Sequence, residues 1–370
     1  MMKKISPSNK IPKKKLALVD HSFHQTSDGT SFLIDLLEKH FEVKIFWDEA
    51  WQGKERTRLE IIPGQGFDTI ILFQEMGYTE EELKITADIN LILIPMLDHT
   101  FTKPFETWEK FKHAKIINFS SRFHEKLKKF GLTSRYFQYF PPPSDLPLPS
   151  GDQRQISGLF WQRTDQITWD HIKVLIKNAN FKKIHLHTAV DPPGFPVILP
   201  SKSETKKYNI TLSRWFPQKQ DYLDILDNVD VYFAPRLYEG IGMAFLEAMA
   251  RGKCVVAPDN PTMNEYIIHG KTGLLYDPRN PKPLDFSNIK EIRENAREYI
   301  KQGHQNWLKA QKELVAFINQ RRIQTISSKY LTRKILANLK GKIKRHFPAL
   351  VQVLLKIKKF PGRNRVKQSR

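Results

Sequence analysis

Val231-Tyr232-Phe233-Ala234-Pro235, and after it Tyr238-Glu239-Gly240-Ile241-Gly242-Met243-Ala244-Phe245-Leu246-Glu247-Ala248-Met249-Ala250-Arg251-Gly252, is the stretch on which the fold turns. An apolar run ends at Pro235, and two glycines two apart open a run rich in Ala, Met, Leu and Phe. The pattern reads as strand, tight turn, helix. Glycine leaves φ unrestricted at such a junction and puts no Cβ in front of an incoming anion. The free amides and dipole of the helix start favour negative charge there, by ~0.3–1 kcal/mol when exposed. Taken alone, the two glycines are also what a plain turn needs.

The carboxylates on either side add the second signal. Glu239 precedes the turn, and Glu247 follows eight positions later, about one and a half turns into the helix. Surface carboxylates are the competing reading. It suits Glu247 poorly, because Phe245, Leu246, Ala248, Met249 and Ala250 surround it, and a carboxylate beside packed structure needs a partner. A glutamate so placed can accept two hydrogen bonds from a ribose diol, while Glu239 in the loop can reach a sugar.

These residues resemble the Glu-x7-Glu region of retaining GT-B glycosyltransferases (glycosyl transferases group 1), many of which build bacterial polysaccharide and lipopolysaccharide. The resemblance continues through Gly252-Lys253-Cys254-Val255-Val256-Ala257-Pro258, Asn264-Glu265-Tyr266-Ile267 and His269-Gly270-Lys271-Thr272-Gly273-Leu274-Leu275. In the family these correspond to a strand, a short helix and a hairpin. The resemblance covers residues 229–278. It implies an α/β fold of two Rossmann-like domains facing across a cleft, with acceptor on the first and nucleotide sugar on the second. It assigns Glu247 to the ribose, Glu239 to the donor sugar, and Gly240, Ile241, Gly242 and Met243 to the diphosphate or sugar through their amides. It implies no cofactor and no metal, with the nucleotide sugar as substrate. No Asp-x-Asp stands near a strand end, and the His residues show no clear ligand spacing.

A metal-free enzyme must neutralise the leaving diphosphate with side chains. Family members commonly place an Arg after the first strand of the second domain, then a Lys five or six positions on. Arg163 stands at the first position, and suits bidentate phosphate contact. Thr168 and Trp169 stand where the Lys is expected, and Lys173 is a substitute whose competing reading is a solvated helix face. His99, after the Leu91–Pro95 run, matches a family histidine near the donor sugar; a loop histidine without a ligand is the alternative. Asp28, Gly29 and Thr30 lie in a cleft-facing loop or cap a helix. Trp161 and Trp169 read as packing residues.

Outward from this segment, short apolar runs alternate with helical patterns, the grammar of a parallel sheet covered on both faces. Strands are expected at Leu16–Val19, Val43–Phe46, Thr69–Phe73, Leu91–Ile94 and Ile116–Phe119. After Pro141-Pro142-Pro143 the alternation restarts at Ile156–Phe160, Ile184–His187, Tyr208–Leu212, Val229–Phe233 and Cys254–Ala257. The expected division is a basic tail (1–15), a first domain (16–143), a second domain (144–283), helices (284–320) and a basic amphipathic extension (321–370). Cys254, the single cysteine, reads as a buried strand residue, and a reducing compartment is allowed.

The net charge of +21 sits at the ends. Residues 1–15 hold six lysines and no acid, residues 314–370 sixteen basic residues and no acid, leaving 38 basic against 39 acidic side chains between. A neutral body with cationic arms argues against a nucleic-acid binder. Leu331, Ile335, Leu339, Ile343 and Phe347 recur every four residues among lysines, a pattern suited to an anionic membrane surface. No apolar run reaches the ~20 residues of a membrane span, and Leu16–Val19 is too short for a signal-peptide core. The expectation is a cytoplasmic enzyme, peripheral on the inner membrane face, transferring sugar to a saccharide or lipid-linked acceptor. An epimerase-like enzyme or a non-catalytic subunit would share the architecture.

Overall fold

The computed structural model describes residues 12–321 except 75, 101, 149–154 and 191–193, and gives only the backbone of Thr26 and His99. Residues 1–11 and 322–370, which hold most of both basic ends and the Leu331–Phe347 pattern, lie outside the described residues.

Two six-stranded sheets, all of whose pairings are parallel, organise the chain. The first comprises β1 (Lys15–His21), β2 (Glu42–Asp48), β3 (Thr69–Phe73), β4 (Asn90–Ile94), β5 (Lys115–Asn118) and β6 (Thr133–Tyr136), in the order β2-β1-β3-β4-β5-β6. The second comprises β7 (Ile156–Trp161), β8 (Phe181–His187), β9 (Ile210–Ser213), β10 (Val231–Phe233), β11 (Cys254–Pro258) and β12 (Leu274–Tyr276), in the order β12-β11-β10-β7-β8-β9. In each sheet the chain starts inside and reverses its direction of travel once, between β1 and β3 and between β7 and β10. Ligands of such sheets bind beyond the carboxyl ends of the strands at these reversals.

Strand residues point alternately to the two faces. Ala17, Val19, Ile70 and Leu72 join one buried cluster, whereas Leu16, Leu18, Ile71 and Phe73 join another. The second cluster also holds Leu159, Tyr232, Val255 and Ala257, so a single core runs from one sheet to the other. The outer face of the second sheet is closed by Phe160, Val231, Phe233, Cys254 and Val256. Cys254 is fully buried, and burial pushes its thiol up to about 12.

The strands fall where the apolar runs predict, with differences at the ends. β6 carries Thr, Ser, Arg and Tyr, all partly exposed, and has no apolar signature. β12 pairs parallel with β11 instead of closing a hairpin, and Met263–Glu265 is a single 3₁₀ turn instead of a helix. Asp28 is not the expected cap. It ends the short helix His24–Ser27 at φ 56°, and Thr30 holds the start of helix Ser31–His40. The charged segment after 284 forms one helix, Ile289–Asn319, of 31 residues. Its first half buries Ile289 and Ile292 against the second lobe, and its end buries Trp307, Leu314, Phe317 and Ile318 in the shared core. Residues 314–319, counted at the sequence level with the membrane-facing extension, therefore belong to a packed helix end. No helix among the described residues is long and apolar enough to cross a membrane.

Candidate active site

The carboxyl ends of β7 and β10 open a crevice in the second lobe. From β10 the chain runs through Ala234 to Gly242 and into the helix Met243–Ala250. Gly242 is that helix's N-cap at φ +85°, and no side chain caps it. A Cβ at Gly242 would lie 1.9 Å from the Phe245 ring. At Gly240 a Cβ would lie 2.7 Å from Met96 Sδ and 3.1 Å from Asp98 Oδ1, on the first lobe. One glycine thus admits the helix's own aromatic ring, and the other lets the lobes approach. The Thr262 hydroxyl fixes the turn by donating to the carbonyls of Glu239, at 2.8 Å, and Gly240, at 3.2 Å.

Glu239 is 8 % exposed. Burial raises its pKa, Arg236 opposes this, Asp98 adds to it, and Arg163 again opposes it. Arg163 is thereby placed within electrostatic reach of Glu239, with its guanidinium 4.9 Å over the Trp161 ring. Glu247 lies further along the helix, with its side chain 28 % exposed and Oε1 3.9 Å from Lys219 Nζ. The same ammonium is 3.7 Å from Asp28 Oδ2 of the first lobe. Glu247 also raises the pKa of the buried Tyr139 of the first lobe, second to burial itself. Both carboxylates therefore border the gap between the lobes.

The first lobe supplies the opposite wall. The segment after β4 turns through Met96 into the helix Leu97–Thr100, and Asp98 accepts a 2.6 Å hydrogen bond from Arg236 across the gap. His99 lies in this helix, but its side chain is outside the described residues. At the end of β1, fully buried Asp20 accepts hydrogen bonds from His24 Nδ1 and the Thr30 hydroxyl, each at 2.7 Å.

Three residues of this constellation escape sequence reasoning. Arg236 follows the strand-ending Pro235 directly, which is a readable position. Lys219 carries no local signal because its partners lie on other elements, and His24, four residues after Asp20, carries none because the sequence does not mark that carboxylate as buried. Lys173 does not substitute for the expected lysine. It is held by Asp170 at 2.7 Å and Glu204 at 3.1 Å. Thr168 and Trp169 are occupied as a helix cap and a buried core residue. Among the described residues no group of three or more His, Cys, Asp or Glu could hold a metal ion. A cavity of about 460 Å³ among Ile156, Asn180, Leu284 and Phe286 opens at the amino ends of the strands, away from this crevice.

Two Rossmann-like lobes whose sheet reversals face one gap define the GT-B fold of glycosyltransferases. Residues 200–301 match the family described as glycosyl transferases group 1. This stretch includes both glutamates, the glycine turn and the start of the long helix. Solved structures with the same fold include the lipopolysaccharide outer core galactosyltransferase WaaB, at 14% identity and TM-score 0.57, covering 83% of this chain and 100% of that one. A sucrose-phosphate synthase from Thermosynechococcus elongatus aligns at 12% identity and TM-score 0.56, covering 82% and 100%. Anabaena HepE, solved in complex with UDP and glucose, aligns at 13% identity and TM-score 0.54, covering 82% and 99%. No curated protein sequence matches the chain. The family match and the fold together support a glycosyltransferase.

Proposed function

We propose that this chain is a retaining glycosyltransferase of the Glu-x7-Glu type, moving a hexosyl group from a nucleotide sugar to a hydroxyl of a saccharide or lipid-linked acceptor without a metal. The observation that carries the reading is the convergence of Glu239, Glu247 and Arg163 on one interlobe gap, inside the family-matched segment or beside it. Glu247 accepts from the ribose diol. Glu239 contacts the transferred sugar, with His99 on the facing wall. The amides from Gly240 to Met243 and the Arg163 guanidinium hold the diphosphate.

In this mechanism the acceptor hydroxyl attacks the anomeric carbon from the face that the diphosphate leaves. The glycosidic oxygen bond forms as the anomeric carbon–phosphate oxygen bond breaks. The departing phosphate oxygen takes the acceptor's proton, so no covalent sugar–enzyme adduct is needed. The enzyme acts by positioning and by stabilising negative charge on the leaving oxygens. Removing one such preorganised contact, in Arg163→Ala, is expected to lower turnover by ~10²–10³. Glu247→Ala is expected to raise the donor KM. Near wild-type kinetics in both variants would overturn the reading, and an altered sugar nucleotide without a new glycosidic bond would make the enzyme an epimerase.

The nucleotide is identified by thermal shift with UDP-, GDP-, ADP- and TDP-sugars, since a ligand of the folded state raises stability with its concentration. The UDP and glucose bound to HepE make the uridine donor the first to test. We further propose that the basic segment within 314–370 holds the enzyme on the anionic cytoplasmic membrane face, at ~1 kcal/mol per basic residue near the surface. Deleting residues 321–370 should abolish flotation with liposomes containing phosphatidylglycerol; undiminished flotation would remove this role.

A further inference from the structure

Trp51 is 40 % exposed yet fixed on three sides. Its indole N–H donates to the Ser22 hydroxyl at 2.8 Å. Its ring stacks on His21 at 5.3 Å and 23°, and meets Phe23 edge-on at 5.7 Å. Ser22 is itself buried and donates its backbone N–H to the Asp48 carbonyl at 2.9 Å, tying the loop after β1 to the end of β2. The indole is thus preorganised, with its apolar area still facing water.

The patch continues toward the proposed donor site. Phe23 meets Trp215 of the second lobe at 6.4 Å, Trp215 meets Trp161 at 5.8 Å, and Arg163 lies 4.9 Å over Trp161. A polar group stands beside it. His24 lies 5.7 Å from the His21 ring, and its Nδ1 faces the buried Asp20 carboxylate at 2.7 Å. The other Asp20 oxygen accepts from Thr30, so the carboxylate is anchored from both ends. Nδ1 therefore carries a proton, and in the neutral imidazole the Nε2 lone pair is left to accept a hydroxyl.

A fixed, half-exposed ring beside an oriented hydrogen-bond acceptor suits a sugar ring. A pyranose has a face of polarised C–H groups that suits the negative face of an aromatic ring, and hydroxyls around its rim. We propose that Trp51, Phe23 and His24 form the subsite for the pyranose ring of the acceptor, with Trp51 as its stacking surface and His24 Nε2 as acceptor for one rim hydroxyl. The inference rests on the glycosyltransferase reading and names the acceptor wall of that same gap. The leaving phosphate remains the proton acceptor, so His24 is a positioning residue.

The test uses the full chain saturated with UDP, titrated with the methyl pyranosides of glucose, galactose, mannose and N-acetylglucosamine, and read by saturation-transfer NMR. At least one glycoside should bind. Trp51→Ala should weaken it by about tenfold or more, and Trp51→Phe should restore most of the affinity. His24→Ala should weaken it, while His24→Gln, which keeps an acceptor, should recover part of the loss. UDP affinity, measured separately by thermal shift, should stay within a few-fold in all four variants. Absence of glycoside binding to the wild type, or binding indifferent to Trp51→Ala, would overturn the subsite while leaving the donor reading intact. A loss of UDP affinity in Trp51→Ala would reassign the patch to the nucleotide and overturn it too. If the wild type binds none of the four nucleotides, the underlying reading fails instead.

Discussion

Gly242 and Glu239 sit three residues apart and are constrained in opposite senses. Gly242 has φ +85° and no room for a Cβ beside Phe245. An alanine there meets the left-handed backbone penalty, roughly 1–2 kcal/mol, and an overpacking term of roughly 1–3 kcal/mol. Gly242→Ala is therefore expected to destabilise the protein by about 2–5 kcal/mol in urea unfolding. Glu239 is a carboxylate whose burial costs stability once it is ionised. Burial raises its pKa above the usual 4.5, so between that value and the raised one the folded chain binds more protons than the unfolded chain. Stability contributed by this group is full below pH 4.5 and is lost as pH rises through the folded pKa. Glu239→Gln removes that dependence. Its stability relative to wild type should grow as pH rises across the window, while sugar transfer falls. A variant that is less stable than wild type at pH 7, with the difference unchanged down to pH 4, would show that the carboxylate is held by compensating contacts.

At the scale of elements, the end of the long helix Ile289–Asn319 is held by two side chains of the first lobe, Lys115 and Asn90, whose amide donates to the Ile318 carbonyl at 2.7 Å. Lys115 is 2 % exposed, and its ammonium donates to the carbonyls of Phe317, Ile318 and Gln320. These are end carbonyls of the helix, which have no partner within it and carry the negative end of its dipole. Burial lowers the Lys115 pKa to about 8. Lys115→Met takes this donor from the Phe317 and Gln320 carbonyls, while Ile318 keeps Asn90, and should cost about 2–3 kcal/mol. Hydrogen exchange should show the loss concentrated in the last two turns of the helix; uniform exchange along it would disprove the docking role. The sequence announces the helix through its period but not this lysine, which stands in an otherwise apolar strand as if misplaced. The same limit runs through the fold. Central strands such as β1 and β3 are legible because both faces are buried, and the β10 turn is legible because glycine, glutamate and apolar helix follow in order. β6 is hidden because an edge strand needs no apolar run, and β12's parallel pairing is set by β11, not by its own residues. In the site, Arg163 and Glu239 follow strand ends and Glu247 is an acid within an apolar helix, so the sequence could propose all three. Asp20–His24 is a local pair, but nothing in the sequence marks that carboxylate as buried, and Lys219 meets its partners only once separate segments come together.

For the molecule as a whole, the functional question is what holds the two lobes at their working distance. The shared core is one answer, but it lies behind the gap. Three polar ties also join the lobes: Asp98 with Arg236, Lys219 between Asp28 and Glu247, and Glu265 with the segment Ser120–Arg122. Glu265 is the most fully engaged. From the second lobe its carboxylate accepts from the Ser120 hydroxyl and the Ser121 amide, each at 2.6 Å, and from the Arg122 amide at 3.2 Å. It thereby caps the first-lobe helix Ser121–Lys129, where orphan amides and the positive dipole end favour an anion. Its own backbone carbonyl accepts from Gln138 at 3.1 Å, so the tie is doubled. Hydrogen bonds to a charged group contribute ~1.5–3 kcal/mol, enough to shift a lobe equilibrium roughly ten- to a hundredfold. Glu265→Gln keeps the shape and one acceptor but loses the charge; Glu265→Ala loses both. The Ala variant should exchange the Ser121 and Arg122 amides faster by one to two orders of magnitude and enlarge the radius of gyration in solution scattering, with Gln intermediate. Both should raise the KM for donor more than they lower kcat, because binding must then rebuild an interface that the wild type holds preformed. Unchanged scattering together with faster exchange would confine Glu265 to capping its helix and leave lobe spacing to the core alone.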